Sequence, residues 1–260
     1  MLKLSVVTPC KNAEQYLGRT LDSILSQTGD FDLEAIVVDG GSTDGTLDIL
    51  RSAKDSRLRW SSESDAGQST AINKGLQHAG GDVIGWLNAD DQYQPGALGA
   101  VAAAFASHPE AQWLAGRCDI IDDVGLITRQ AITHYKDRLL TRYSFRSLLR
   151  QNILSQPAVF WRREFGKSVG PLDESLHLSM DYDLWLRMAK RCDPLILDRL
   201  LASFRVHRQS KSRGGRRTQF AESYRIACRY AQGDPMSRVV HRLNVEKIVW
   251  SYHALRWLGL

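Results

Sequence analysis

Apolar runs and amphipathic stretches alternate through the first hundred residues. Leu4 to Thr8 is a short apolar run closed by Pro9 and reads as a strand. Tyr16, Leu17, Thr20, Leu21, Ile24 and Leu25 then recur at the spacing of one helix face, which predicts a helix over Glu14 to Gln27. Leu33 to Asp39 predicts a second, buried strand. Gly40-Gly41-Ser42-Thr43-Asp44-Gly45 follows as a turn, its glycines permitting unusual backbone angles and Ser42, Thr43 or Asp44 able to cap a helix. Further strands are expected at Leu58 to Ser62 and Val83 to Leu87, with helices at Gln68 to His78 and around Leu98, Val101, Ala102 and Phe105. This alternation predicts βαβ units, an α/β class and a mostly parallel central sheet flanked by helices.

The second half is less regular. Strands are expected at Trp113 to Ile121 and Ala158 to Trp161, a basic helical stretch near Leu139 to Arg150, and a helix from Asp181 to Lys190. Arg208 to Arg217 is rich in Arg, Ser and Gly and reads as a linker, before two closing helices whose last carries Val245, Ile248, Val249, Tyr252 and Leu255 on one side. At 260 residues the default is one large domain with an extension.

Composition changes this picture little, and charge changes it more. With 43% hydrophobic and 24% charged residues the chain reads as globular, not disordered or fibrous. Cys10, Cys118, Cys192 and Cys228 are too scattered for a zinc or redox motif. Met1-Leu2-Lys3-Leu4 leads straight into the first strand without a signal-like segment, and no apolar run reaches the ~20 residues of a membrane span, so a cytoplasmic protein is expected. The net charge of +5 is uneven: residues 205–260 hold 12 Lys/Arg against 3 Asp/Glu. A basic tail on a slightly acidic body fits either an anionic partner or a solvated helical face.

In an open parallel sheet, ligands bind beyond the carboxyl ends of the strands, where the strand order reverses. The candidates there are Thr8, Pro9, Lys11 and Asn12 after the first strand, Asp39 after the second, Asp65 after the third, and Asp90-Asp91 after the fourth. Carboxylates gathered at one sheet edge repel one another unless a cation lies between them, and Mg²⁺ or Mn²⁺ suits oxygen ligands while leaving positions for phosphates. Such an ion would neutralise a diphosphate and make it a better leaving group. Asp39 alone reads equally as a helix cap; two adjacent acids after a buried strand exceed what one helix end needs. Neither a Gly-x-x-x-x-Gly-Lys-Ser/Thr loop nor a Gly-x-Gly-x-x-Gly turn is present, which weighs against ATPase and dinucleotide readings.

Five segments in series, Ser5-Val-Val-Thr-Pro-Cys-Lys-Asn12, Val37-Val-Asp-Gly-Gly-Ser-Thr-Asp-Gly-Thr46, Asp65-Ala-Gly-Gln68, Ala71-Ile-Asn-Lys-Gly75 and Leu87-Asn-Ala-Asp-Asp91, resemble family 2 glycosyltransferases of the GT-A fold. The resemblance covers about residues 3–206 and is strongest to about residue 95. It implies a Rossmann-like GT-A unit over 1–206, with a nucleotide-binding half at 1–95 and an acceptor half at 96–206, followed by a basic linker and C-terminal helices at 207–260. It implies a nucleoside-diphosphate sugar donor, with uridine as the expected base. Asp39 is expected to accept a hydrogen bond from the base, Thr8 and Pro9 to line its pocket, and Asp65 to lie near it. In the family an Asp-x-Asp element holds a divalent cation on the phosphates; here Asn88 takes its first position. The expected ligands are therefore Asp90, with Asp91 second or holding the donor sugar. Where relatives often carry Arg this chain has Ile72, so Lys74 or a C-terminal basic residue is expected to supply the charge.

An inverting transfer needs a base for the acceptor hydroxyl. Ser179-Met-Asp-Tyr-Asp-Leu-Trp-Leu-Arg187 resembles the family's acidic pair at a helix start, with Met180 in place of the first acid, which makes Asp181 the expected catalytic base and Asp183 its alternative. Without the resemblance the two acids read as helix-start residues. Phe160 or Trp161 is a candidate sugar platform, against a role in the core. His207 stands where relatives often place a His near the diphosphate and is a candidate cation ligand. The last helix mixes Trp and Tyr with Arg, which suits either peripheral contact with the inner face of a membrane or packing on the domain. The expected acceptor is a glycan or lipid-linked glycan in surface polysaccharide assembly, with no nucleic-acid partner. The competing classes are a sugar-1-phosphate nucleotidyltransferase, which lacks its glycine-rich basic loop here, and a non-catalytic nucleotide- or glycan-binding module.

Overall fold

A computed structural model describes residues 1–210 and 216–257, with the backbone alone for 216, 217 and 248–257. The first half follows the expected alternation: β1 (Leu2–Cys10), α1 (Leu17–Leu25), β2 (Phe31–Asp39), α2 (Thr46–Ser52), β3 (Leu58–Ser62), α3 (Gln68–His78), β4 (Val83–Trp86), β5 (Gln92–Tyr93) and α4 (Ala97–Ser107). The second half adds β6 (Trp113–Ile121), β7 (Ile127–Thr128), α5 (Gln130–Leu140), α6 (Phe145–Arg150), a 3-10 turn (Gln156–Ala158), β8 (Val159–Arg162), α7 (Arg163–Val169), α8 (Met180–Ala189) and β9 (Leu195–Arg205). The chain then closes with α9 (Arg216–Tyr230) and α10 (Pro235–Trp257).

The sheet runs β3-β2-β1-β4-β8-β6-β9-β5, with β7 on β6. β1 to β4 are mutually parallel, and the pairings of β8 and β6 bring β6 and β9 back to that same direction. Strand order reverses at β1, whose neighbours are β2 and β4. Alternation places Leu4, Val6, Ala35 and Val83 in a core on one side of the sheet, with Val101 and Phe105 of α4. Val7, Ile36, Val38 and Ile84 lie in the core that holds Ile72 of α3 and Trp185 of α8.

Three differences from the sequence reading affect the site. The basic stretch 139–150 is not one helix, because Ser144 caps α6: its hydroxyl accepts from the Ser147 N–H at 3.1 Å while the Ser147 hydroxyl accepts from Ser144 at 2.9 Å. β9 carries Asp198 and Arg199 in its middle at a bulged register with β6, and those charges conceal a strand that pairs along the centre of the second half. The C-terminal helices are no separate appendage. Ile226, Ala227 and Ala231 of α9 are buried in the core that contains Trp185, so the boundary expected at 206 does not divide the packing. Among the described residues no helix is long and apolar enough to cross a membrane.

Gly75 explains how α3 sits so close to the sheet. A Cβ at this position would stand 2.3 Å from Cγ1 of Val7 on β1. Gly75→Ala is expected to lower stability by about 1–3 kcal/mol through overpacking, measured as a urea midpoint shift; an unchanged midpoint would show that the helix can shift at no cost.

Candidate active site

A cavity of about 870 Å³ opens beyond the carboxyl ends of β1 and β4, where strand order reverses. The loop after β1, the start of α3 and the loop after β4 line one part of it. The turn into α8 and residues of α5, α9 and α10 line the rest. Pro9, Asp65, Asp90, Asp181 and His207 all reach this one space.

Asp39 and Thr8 do not line it. The Asp39 carboxylate is fully buried and accepts from the N–H groups of Gly41 (3.1 Å) and Ser42 (3.0 Å) and from the hydroxyls of Ser42 and Ser62. Burial works to raise its pKa, but these hydrogen bonds prevail and the net shift is downward. Asp39 thus builds the turn after β2, whereas Asp44, the residue before the N-cap Gly45 of α2, accepts from the Thr46 N–H through Oδ1 at 3.0 Å. Thr8 is buried beneath the cavity wall, with no hydrogen-bond partner for its hydroxyl among the described residues. Asp65 lies over Gly40, where a Cβ would approach its carboxylate to 2.7 Å, so the glycine is what admits the acid.

Lys74 points elsewhere. Its ammonium pairs with Glu63 at 2.7 Å and does not line the cavity, and Ile72 is buried in the core. The cations that do line it include Lys11, Arg129 and Lys136. Lys136, on α5, belongs to none of the motifs that single out site residues in the sequence. Its ammonium donates to the Ser155 hydroxyl at 2.9 Å, and burial lowers its pKa.

The acidic cluster divides into an inner and an outer acid. Asp91 is fully buried, accepting from the Arg205 N–H at 2.8 Å and from the Asn88 amide at 3.2 Å; burial, followed by the neighbouring Asp90, pushes its pKa well up. It is turned away from the cavity, so its position matches neither expectation for it, second cation ligand or hold on the donor sugar. Asp90 does face the cavity, with Oδ2 3.0 Å from Nε2 of His207. Among the described residues no three His, Cys, Asp or Glu side chains gather as a metal cluster, because Asp39 and Asp91 are directed into the protein.

Asp181, in the first turn of α8, also lines the cavity. Its surroundings of protein raise its pKa by desolvation, offset in part by the Asn152 amide, which donates to Oδ2 at 3.3 Å, and by the charge of Lys136. Asp183 is spoken for: Arg187 donates to it at 2.9 Å and the Tyr230 hydroxyl at 2.9 Å. Phe160 and Trp161 are buried in the core and do not line the cavity, so neither is a sugar platform here.

Residues 5–164 match the model of the family described as Glycosyl transferase family 2. The chain belongs to glycosyl transferase family 2. A PGL/p-HBAD biosynthesis glycosyltransferase of Mycobacterium tuberculosis is 33% identical over 195 residues, covering 70% of this chain and 68% of that one. An uncharacterized glycosyltransferase of Nostoc is 31% identical over 135 residues, 51% of this chain and 41% of its own length, so this chain spans less than half of that relative. Among solved structures, S. aureus TarS (1-349) in complex with UDP-GlcNAc superposes with a TM-score of 0.68 at 20% identity, covering 86% of this chain and 65% of that one. The mannosyltransferase PcManGT of Pyrobaculum calidifontis, in complex with GDP-Man and Mn²⁺, gives 0.66 at 18% identity, covering 97% and 79%. These likenesses establish the GT-A fold.

Within this family 2 chain, Asn88 has a physical reason. The Trp86 indole is a donor only and points at the Asn88 Oδ1 (2.9 Å), which fixes the amide so that its NH₂ donates to Asp91 and to Gln156 (2.8 Å). An acid at position 88 would place a second carboxylate against buried Asp91 and leave Gln156 without its donor. Asn88→Asp is expected to cost roughly 1–3 kcal/mol of stability, read by urea denaturation at neutral pH; a fully stable variant would contradict the requirement for the amide.

Proposed function

We propose that the protein transfers a sugar, with inversion, from a nucleoside-diphosphate sugar, with uridine as the favoured base, to a hydroxyl of a glycan or lipid-linked glycan. The observation that carries this reading is that one cavity presents both the Asp90–His207 pair and the desolvated carboxyl of Asp181. TarS with UDP-GlcNAc and PcManGT with GDP-Man show nucleotide sugars on this fold, and the latter holds Mn²⁺.

The residues present fit a divalent cation modestly but specifically. Asp90 Oδ2 and His207 Nε2 stand 3.0 Å apart, the separation of adjacent ligands around an octahedral ion at ~2.1 Å. Mn²⁺ or Mg²⁺ would take these two donors and complete its shell with diphosphate oxygens and water, supplying positive charge to the leaving group. The protein's own part is distinct. The loop after β1 and Asp65 border the space for the nucleoside, and Lys11 and Lys136 add positive charge to the cavity. Asp181 accepts the proton of the attacking hydroxyl while Asn152 holds its carboxylate. A base of raised pKa binds that proton more strongly.

Asp181→Asn is expected to lower kcat by roughly 10²–10⁴-fold with little change in donor KM; wild-type turnover would remove Asp181 from this role. Because Asp181 must be ionised to act, and its pKa is raised, kcat is expected to fall on acidification through a pKa above the ordinary aspartate value of ~3.9. An acid limb at or below that value would contradict the assignment. Asp90→Ala is expected to abolish the dependence of turnover on Mn²⁺ or Mg²⁺ along with most of the rate, and a variant that keeps both would displace the cation from Asp90.

The membrane expectation for the last helix rests on residues 248–258, whose side chains lie outside the described residues. Earlier in α10, Met236, Val239 and Leu243 are exposed on one face, beside Arg238 and Arg242, an arrangement that favours contact with an anionic bilayer. Replacing these three apolar residues with Ser is expected to reduce co-sedimentation with anionic liposomes. Unchanged sedimentation, or none by the unaltered protein, would contradict this contact.

A further inference from the structure

The start of α8 has no side-chain cap of its own. Ser179 occupies the N-cap position, yet its side chain makes no capping bond and its hydroxyl donates instead to the Gln219 carbonyl of α9 at 3.2 Å. The N–H groups leading into the helix are satisfied from elsewhere. Glu222 of α9, itself 3% exposed, accepts from His177 at 3.0 Å through one carboxylate oxygen and from Leu178 (2.8 Å) and Ser179 (2.7 Å) through the other. Asp181 comes two residues after this clamp. A carboxylate that receives three backbone N–H groups fixes the path of the chain far more tightly than a single side-chain cap, and its negative charge at a helix N-terminus is favourable.

We propose that Glu222 is a positioning residue for the reaction: from the C-terminal extension it sets the backbone from which Asp181 projects into the cavity. The proposal rests on Asp181 being the base. Its independent support is geometric. The same helix places Gln219, Phe220 and Ser223 on the cavity wall, and Tyr230, two turns further on, bonds Asp183 on the buried side of α8. Helix α9 thus grips the beginning of α8 on both sides of the base. Distortion of this turn would move the Asp181 carboxyl relative to an acceptor hydroxyl, and small displacements at such a position are costly to rate while leaving donor contacts on the β1 and β4 loops untouched.

The test uses the full chain and release of nucleoside diphosphate from UDP-N-acetylglucosamine, UDP-glucose or GDP-mannose with Mn²⁺, water serving as acceptor. Glu222→Ala is expected to lower kcat by tenfold or more with donor KM within twofold. Glu222→Gln keeps an oxygen for Leu178 and Ser179 but sets an NH₂ against the His177 N–H, so its rate should fall between Ala and wild type; it also serves if the alanine variant does not fold. In either variant, hydrogen exchange of the amides at 177–179 should accelerate. The decisive comparison is the double variant with Asp181→Asn. If Glu222 acts through the base, adding its substitution to Asp181→Asn costs no further rate, whereas a general structural role multiplies the two losses. Wild-type kcat in a folded Glu222 variant, or multiplied losses, overturns the proposal while Asp181→Asn alone keeps its lowered rate. Turnover by Asp181→Asn at the wild-type rate, or by no protein with any of the three donors, instead overturns the reading of the base and this proposal with it.

Discussion

Arg205, at the end of β9, donates its backbone N–H to the carboxyl of Asp91 and its guanidinium to the carbonyls of Asp90 and Asp122, at 2.8, 2.9 and 2.7 Å. It is 1% exposed and lies 4.9 Å from the centre of the Tyr16 ring, which in turn packs against the His207 ring at 4.7 Å. Burial lowers the pKa of this cation, and the carbonyls and the aromatic face provide the compensation. One side chain therefore ties the loop after β4, the β6–β7 hairpin and helix α1's approach to the same point. With its backbone held and Asp91 turned inward, Asp90 directs its carboxylate to the cavity. The inner acid fixes the loop, and the outer acid faces the cavity.

That division was only half legible in the sequence. Strand alternation, the turn after β2 and the five motif segments were sufficient to locate β1 to β4 and the strand ends that border the cavity, because buried parallel strands leave continuous apolar runs and short polar strand ends. The motif could not separate Asp90 from Asp91. Their difference comes from Arg205 and Asn88, one of which arrives from a strand whose central charges hide its period. Lys74 was misplaced for a related reason: it stands in a motif near the site, but the face of α3 that it occupies brings it to Glu63. The helix-start pattern pointed to both Asp181 and Asp183, but only the fold shows that Asp181 lines the cavity while Asp183 is held by Arg187 and Tyr230.

The C-terminal helices alter the reading of the architecture most. Composition marked them as a basic tail, and a basic tail invites an external partner. Their inner faces instead carry Ile226 and Ala227 into the main core and supply His241, whose Nδ1 lies 3.0 Å from the Leu149 carbonyl of α6. Charge counting sees the outer face of a helix, and the inner one is decided by packing. In consequence one part of the cavity wall is built jointly by α5, α6 and the last two helices, which is where the sequence showed the least pattern.

We propose that a cation shared by Asp90 and His207 holds a nucleoside diphosphate in this cavity. Isothermal titration of the protein with UDP, with and without Mn²⁺, tests it most directly. Tight binding that requires the cation is expected. UDP binding of equal affinity after chelation, or no binding of UDP with Mn²⁺ present, would contradict it.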